Sequence, residues 1–175
     1  MAEANKHRLP ADCWDAVVIA THWLVAGGFV CNRLLNEAGG VWHERIGLTV
    51  AGLVLLRLLW GLTLARGPAR LSQFLPSWTR VRHHVAQIRS GELPNQLEHN
   101  PLGALAIWLF WLGLLAVAAT GWGQDQSWGD AWPLADIHAW LVDGLTVLVV
   151  VHVLAVILMS HRMGQNLLRR MLPLP

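Results

Sequence analysis

Residues 135–161 read ADIHAWLVDGLTVLVVVHVLAVILMSH, and the reading of this stretch decides the fold. It is an apolar run long enough to cross a membrane as a helix, with Asp143 the one charged residue between Asp136 and His161. It carries two histidines, His138 and His152, fourteen positions apart. In a helix that interval advances roughly 21 Å and stops about 40° short of four full turns. Both imidazoles therefore leave one face, one near each side of a bilayer. An ionisable side chain inside a membrane is costly and points to function. Two on one face predict a pair of buried ligand sites stacked across the membrane.

The rest of the chain agrees with a membrane setting. Of 175 residues, 54% are hydrophobic and 14% charged, with a mean hydropathy of +0.41. That is too apolar for a soluble domain of this length and predicts an all-α membrane protein. Cys13 and Cys31 form neither a CxxC nor a CxxCH motif, which argues against a disulfide framework and against a covalently attached c-type haem. Tyrosine is absent and tryptophan occurs eleven times, so tryptophan alone does the interfacial anchoring. The polar, acid-containing start, MAEANKHRLPADCWD, does not read as a cleavable signal peptide.

Three further apolar segments have spanning length. The expected helices are about 14–34, 42–64, 101–122 and 136–160, making one four-helix bundle over residues 1–175. Asp12 or Asp15 is placed to cap the first. The long connection 65–100 is rich in Arg, Pro and Gly. Within it, about 77–90, Trp78, Val81, Val85 and Ile88 recur at helical spacing among basic residues, which predicts a short helix lying on the membrane surface, in contact with lipid. Lys6, Arg8, Arg66, Arg70, Arg80, Arg82, Arg89, Arg162, Arg169 and Arg170 fall on one side, and only Arg33 and Arg45 on the other. Basic residues concentrate on the cytoplasmic side, so both termini and the long connection are expected there, in a multi-pass protein of a bacterial inner membrane.

That topology lets histidine depths be compared. His22 lies eight residues past Trp14, and His152 nine residues before His161, so both sit about 12–13 Å from the cytoplasmic side. His43 and His138 each lie in the first turn of a helix that starts outside. Two facing pairs result, His22 with His152 and His43 with His138. Two neutral imidazoles on opposed helices are what a six-coordinate b haem needs, because the porphyrin supplies the other four nitrogens. Small residues follow two of these histidines at i+4, Ala26 after His22 and Gly47 after His43. They leave room for a flat macrocycle, although small residues also serve ordinary helix packing. Arg57 lies fourteen residues after His43, on the same face and near the depth of the inner pair. A buried guanidinium needs an anion or strong acceptor; a haem propionate and a quinone oxygen are even choices, and snorkelling to the interface is the bland one.

At this point the residues resemble the prokaryotic cytochrome b561 family, which includes b-type cytochrome subunits of nickel–iron hydrogenases and stand-alone quinone-linked cytochromes. The resemblance rests on Trp14, Asp15, His22 and Trp23, on His43 with Gly47, and on Arg57-Leu-Leu-Trp-Gly61. It continues in His99-Asn-Pro-Leu-Gly103, in the His138 and His152 pair, and in Asn166-Leu-Leu-Arg-Arg-Met171. Two positions depart from the pattern: Val17–Thr21 lacks an arginine often found before the first histidine, and Glu98 stands where glycine often does. The resemblance implies a bundle holding two haem b groups, with iron bound by His22, His43, His138 and His152, and exchanging electrons with quinone. His99 sits at the mouth of the third span, placed to protonate a quinone, to bond a propionate, or simply to cap the helix beside Pro101.

Three functions compete. The first is transmembrane electron transfer between a quinone and a redox partner, as a quinone-linked oxidoreductase or its electron-transfer subunit. The second is a haem-containing anchor that docks a redox enzyme or a soluble cytochrome at the acidic, Trp-rich outer segment 123–135. The third, a metal-ion transporter using the same histidines, is disfavoured because no Asp or Glu joins their face. No nucleic acid is expected as a partner.

Overall fold

The computed structural model describes residues 15–65, 69–75, 77–90, 101–164 and 166–172. Four helices are long and apolar enough to cross a membrane: α1 (Ala16–Leu34), α2 (Val41–Thr63), α4 (Pro101–Gly123) and α5 (Leu134–Met163), with a shorter α3 (Trp78–Ser90) between the second and third. The fold is all-α, and no strand occurs among the described residues. Local chemistry sets the helix ends. Asp15 accepts a hydrogen bond from the Val17 amide at 2.8 Å, filling one of the unsatisfied donors of the first turn; Asp12 lies outside the described residues. At the other end of the chain α5 runs three residues past Ser160 and stops at Gly164, whose φ of +60° is the left-handed conformation common after a helix.

The spanning helices pack as two hairpins, α1 on α2 and α4 on α5, joined by the seam between α2 and α4. Each hairpin closes on a glycine. A Cβ on Gly28 would lie 2.6 Å from Val50, and one on Gly113 would lie 2.7 Å from Leu145. Hydrogen there lets the backbones approach, the usual device where lipid gives helices no hydrophobic reason to associate. Among the described residues α1 and α5 share no comparable seam. Polar links tie α1 to α5 and to the turn that follows it. Arg33 pairs with Asp143 at 3.3 Å and reaches Thr146 at 3.4 Å, while the Trp23 indole donates to the carbonyl of Met171 in the 3-10 turn Leu167–Met171.

The core sits midway along the bundle, where Val50, Val54, Leu114 and Leu145 are buried among Phe29, Ile46, Phe110 and Leu148. Most other large apolar side chains face outward, including Leu59, Leu62, Val147 and Ile157. Helices apolar all round are what a membrane solvent requires. The end where α1 and α4 begin and α2 and α5 finish is the basic end; α3 lies there against α4. On α3, Val81 is buried while Trp78, Arg82 and His83 are exposed. The opposite, acidic end carries a 3-10 turn at Gly129–Ala131, Trp128 against Trp122, and exposed Asp125, Asp130 and Asp136.

Candidate functional site

Four histidines come from three helices that do not all pack together. His22 of α1 and His152 of α5 face each other near the basic end, with ring centroids 6.5 Å apart and planes at 57°. His43 of α2 and His138 of α5 face each other near the acidic end, at 6.1 Å and 64°. These separations can be interpreted. A direct hydrogen bond between ring nitrogens near 2.9 Å would draw the centroids to roughly 5.2 Å. A metal held between the rings at about 2.0–2.1 Å from each nitrogen would set them at roughly 6.3–6.5 Å. The observed values lie near the second spacing. Among the described residues no cluster of three or more His, Cys, Asp or Glu forms around a common point. A bare ion would thus find two protein ligands per site, whereas haem brings its remaining four donors with it. The donor set fits haem.

The ring of His138 has a fixed tautomer. Its Nδ1 lies 3.0 Å from the carbonyl oxygen of Val117 and 3.2 Å from the Thr120 hydroxyl. A carbonyl only accepts, so Nδ1 carries the proton and Nε2 keeps the lone pair. His43 is placed through its backbone: Asn32 of α1 donates to the His43 carbonyl at 2.8 Å, and Asn36 donates to Asn32 at 2.8 Å. Its own Nδ1 is buried without a partner among the described residues. At the basic end the His152 ring meets the edge of Phe110 at 5.5 Å, and the His22 ring meets Trp23 at 5.3 Å.

Arg57 is buried, at 6% exposure. Nη2 donates to the Ala69 carbonyl at 3.0 Å, the guanidinium lies 5.6 Å from the centre of the Trp111 ring, and Nη1 has no partner among the described residues. The side chain is held under the segment that follows α2 and does not reach outward. The Trp60 indole nitrogen, one turn along α2, is also buried and unpartnered. Gly47 lies at the seam of α1 and α2, where a Cβ would meet Asn32 at an ordinary 3.5 Å. His99 lies outside the described residues, as do His7 and the side chain of His84. His83 and His161 are exposed. Asp143 faces Arg33 rather than either histidine pair.

Sequence reasoning did not single out Val117, Thr120, Gly121 or Asn32. Thr120 was the available signal, a hydroxyl in a span without charge. Its hydroxyl also bonds the Ala116 carbonyl at 2.8 Å, a habit of helical threonine that needs no ligand to explain it.

Comparison with known proteins then decides the family. A family model described as prokaryotic cytochrome b561 matches residues 13–174. The chain belongs to the prokaryotic cytochrome b561 family. Neither a curated protein nor a solved structure gives a match. As a b561 cytochrome the chain is a prokaryotic membrane protein of electron transport that binds b-type haem. In this b561 cytochrome both histidine pairs lie between spanning helices, where bundle proteins commonly hold a cofactor.

Proposed function

We propose that this cytochrome holds two haem b groups, one per histidine pair, and moves electrons across the membrane between a quinone and a redox partner. The observation that carries the reading is that histidines face each other in two separate pairs between spanning helices, with ring centroids 6.5 Å and 6.1 Å apart. Haem supplies the one-electron chemistry. The chain supplies the rest. His22 with His152, and His43 with His138, would each hold one haem iron through two imidazoles, and iron so held would favour electron transfer over oxygen binding. The packed layer around Val54 and Leu145 keeps water out of the region between the sites. Arg57 offers a buried donor at the basic end to a propionate or to a quinone oxygen, and the unpartnered Nη1 and Trp60 indole support an acceptor there. His99, two residues before α4 begins in the sequence, is a candidate to protonate a quinone or bond a propionate, and Gly47 keeps the helix slim beside His43. The basic end faces the cytoplasm of a bacterial cell, with both termini on that side.

A second reading is a haem-bearing anchor that docks a redox enzyme or soluble cytochrome. It is favoured by the exposed aspartates and tryptophans around Trp128 at the acidic end, a surface complementary to a basic partner. Alanine replacement tests the shared basis of both readings. His43→Ala and His138→Ala should remove one spectral component, and His22→Ala and His152→Ala the other. Loss of the same component from His22→Ala and His43→Ala would refute the pairing. Recovery of a partner from native membranes, with slow quinone reduction, would favour the anchor.

A further inference from the structure

The two ligands at the acidic end are held differently, and α4 is the cause. The Nδ1 of His138 meets two acceptors on consecutive turns of that helix, the Val117 carbonyl at 3.0 Å and the Thr120 hydroxyl at 3.2 Å. The Thr120 proton is directed to the Ala116 and Val117 carbonyls at 2.8 and 3.0 Å, so its oxygen lone pair is free to face the imidazole. Next in sequence is Gly121. A Cβ at this position would lie 3.1 Å from Cε1 of His138 and 3.4 Å from Nδ1. Even a methyl group there would make the ring shift by a few tenths of an ångström, lengthening its bonds to both acceptors. On the other side of the site the Nδ1 of His43 is buried with no partner among the described residues.

We propose that Val117, Thr120 and Gly121 are positioning residues for His138, fixing its tautomer and seat so that it is the more strongly donating axial ligand of the acidic-end haem. The proposal rests on the reading of His138 as a haem ligand. Hydrogen-bonding the outer N–H of a metal-bound imidazole raises its basicity and fixes ring orientation. Greater donation stabilises the oxidised iron and lowers the midpoint potential of that site. Gly121 is thereby assigned a role beyond helix packing, since its missing side chain gives the ring its place.

The test uses the purified, haem-loaded cytochrome with Gly121→Ala, Thr120→Val and His138→Ala. The readouts are haem content, low-temperature electron paramagnetic resonance and a redox titration followed by absorbance. Gly121→Ala should shift the low-spin signal of one haem and raise its midpoint, leaving the other haem at its wild-type values. Thr120→Val, nearly isosteric, should raise the same midpoint by a smaller amount. If Gly121→Ala does not fold, Thr120→Val carries the test alone. Wild-type signals and midpoints in both variants, with one haem lost in His138→Ala, overturn the proposal and leave the ligand reading standing. Both haems retained in His138→Ala overturn the ligand reading and the proposal with it.

Discussion

Arg57→Leu isolates one charge beside one proposed haem. The guanidinium meets the Trp111 ring at 5.6 Å, and the neighbouring Phe110 meets the His152 ring at 5.5 Å. The two contacts fall on consecutive residues of α4, and a separation on the order of 12 Å between the charge and the basic-end site is taken for the estimate. At an effective dielectric of about 20, a unit charge at this distance is worth about 1.4 kcal/mol. For a one-electron couple that is a tenfold change in equilibrium, or about 59 mV. A nearby cation favours the reduced, less cationic haem, so its removal lowers the midpoint. Arg57→Leu should lower the basic-end potential by about 60 mV. The acidic-end haem should move less, because His43 lies fourteen residues away, roughly 21 Å along α2. Arg57→Lys keeps the charge and should retain most of the potential. The assay is a potentiometric titration of the purified cytochrome resolved into its two components. An unmoved basic-end potential in Arg57→Leu, with slowed reduction by quinol, would reject the propionate reading and favour a quinone contact. No change in either property would remove Arg57 from the functional account.

Two further predictions concern topology and packing. A cysteine replacing Arg82, exposed on α3, should resist an impermeant maleimide in intact cells and react once the membrane is opened; labelling in intact cells would invert the bundle and exchange the two sites. Gly113→Val should cost about 1–3 kcal/mol by overpacking the seam against Leu145, seen as a lower thermal midpoint in detergent, whereas Gly27→Ala, where a Cβ meets nothing within 4 Å, should be neutral or slightly stabilising.

Much of the fold is legible in the sequence because the bilayer leaves few choices. Spanning segments must be helical and about 20 residues long, so the four observed helices end within three residues of their expected limits. The inward faces are harder to read. α4 is apolar all round, and such a helix gives no periodic signal for its buried side. Histidine supplied the missing mark: spacing and depth alone pair His22 with His152 and His43 with His138, and the structure brings those same rings within 6.5 Å. What escaped is tertiary by nature. The contact of His138 with Val117 and Thr120 depends on how α4 rolls against α5. The buried bond from Arg57 to Ala69 depends on the path of the chain after α2, and the Trp23 bond to Met171 closes a separation of 148 residues. None has a local pattern to announce it.

Among the described residues α1 and α5 share no seam comparable to those within the hairpins. Where lipid-facing helices pack, small residues and close backbones are expected; here that is seen at Gly28 and Gly113. Between α1 and α5 the structure places facing imidazoles and polar links at the ends.

The claim at the centre is that each histidine pair binds its own haem. The most direct test is the haem-to-protein ratio of the purified cytochrome, with haem measured as the pyridine haemochrome and protein by amino-acid analysis. Two haem b per chain is the result predicted here. A ratio of one that is abolished equally by His22→Ala and His43→Ala would contradict it.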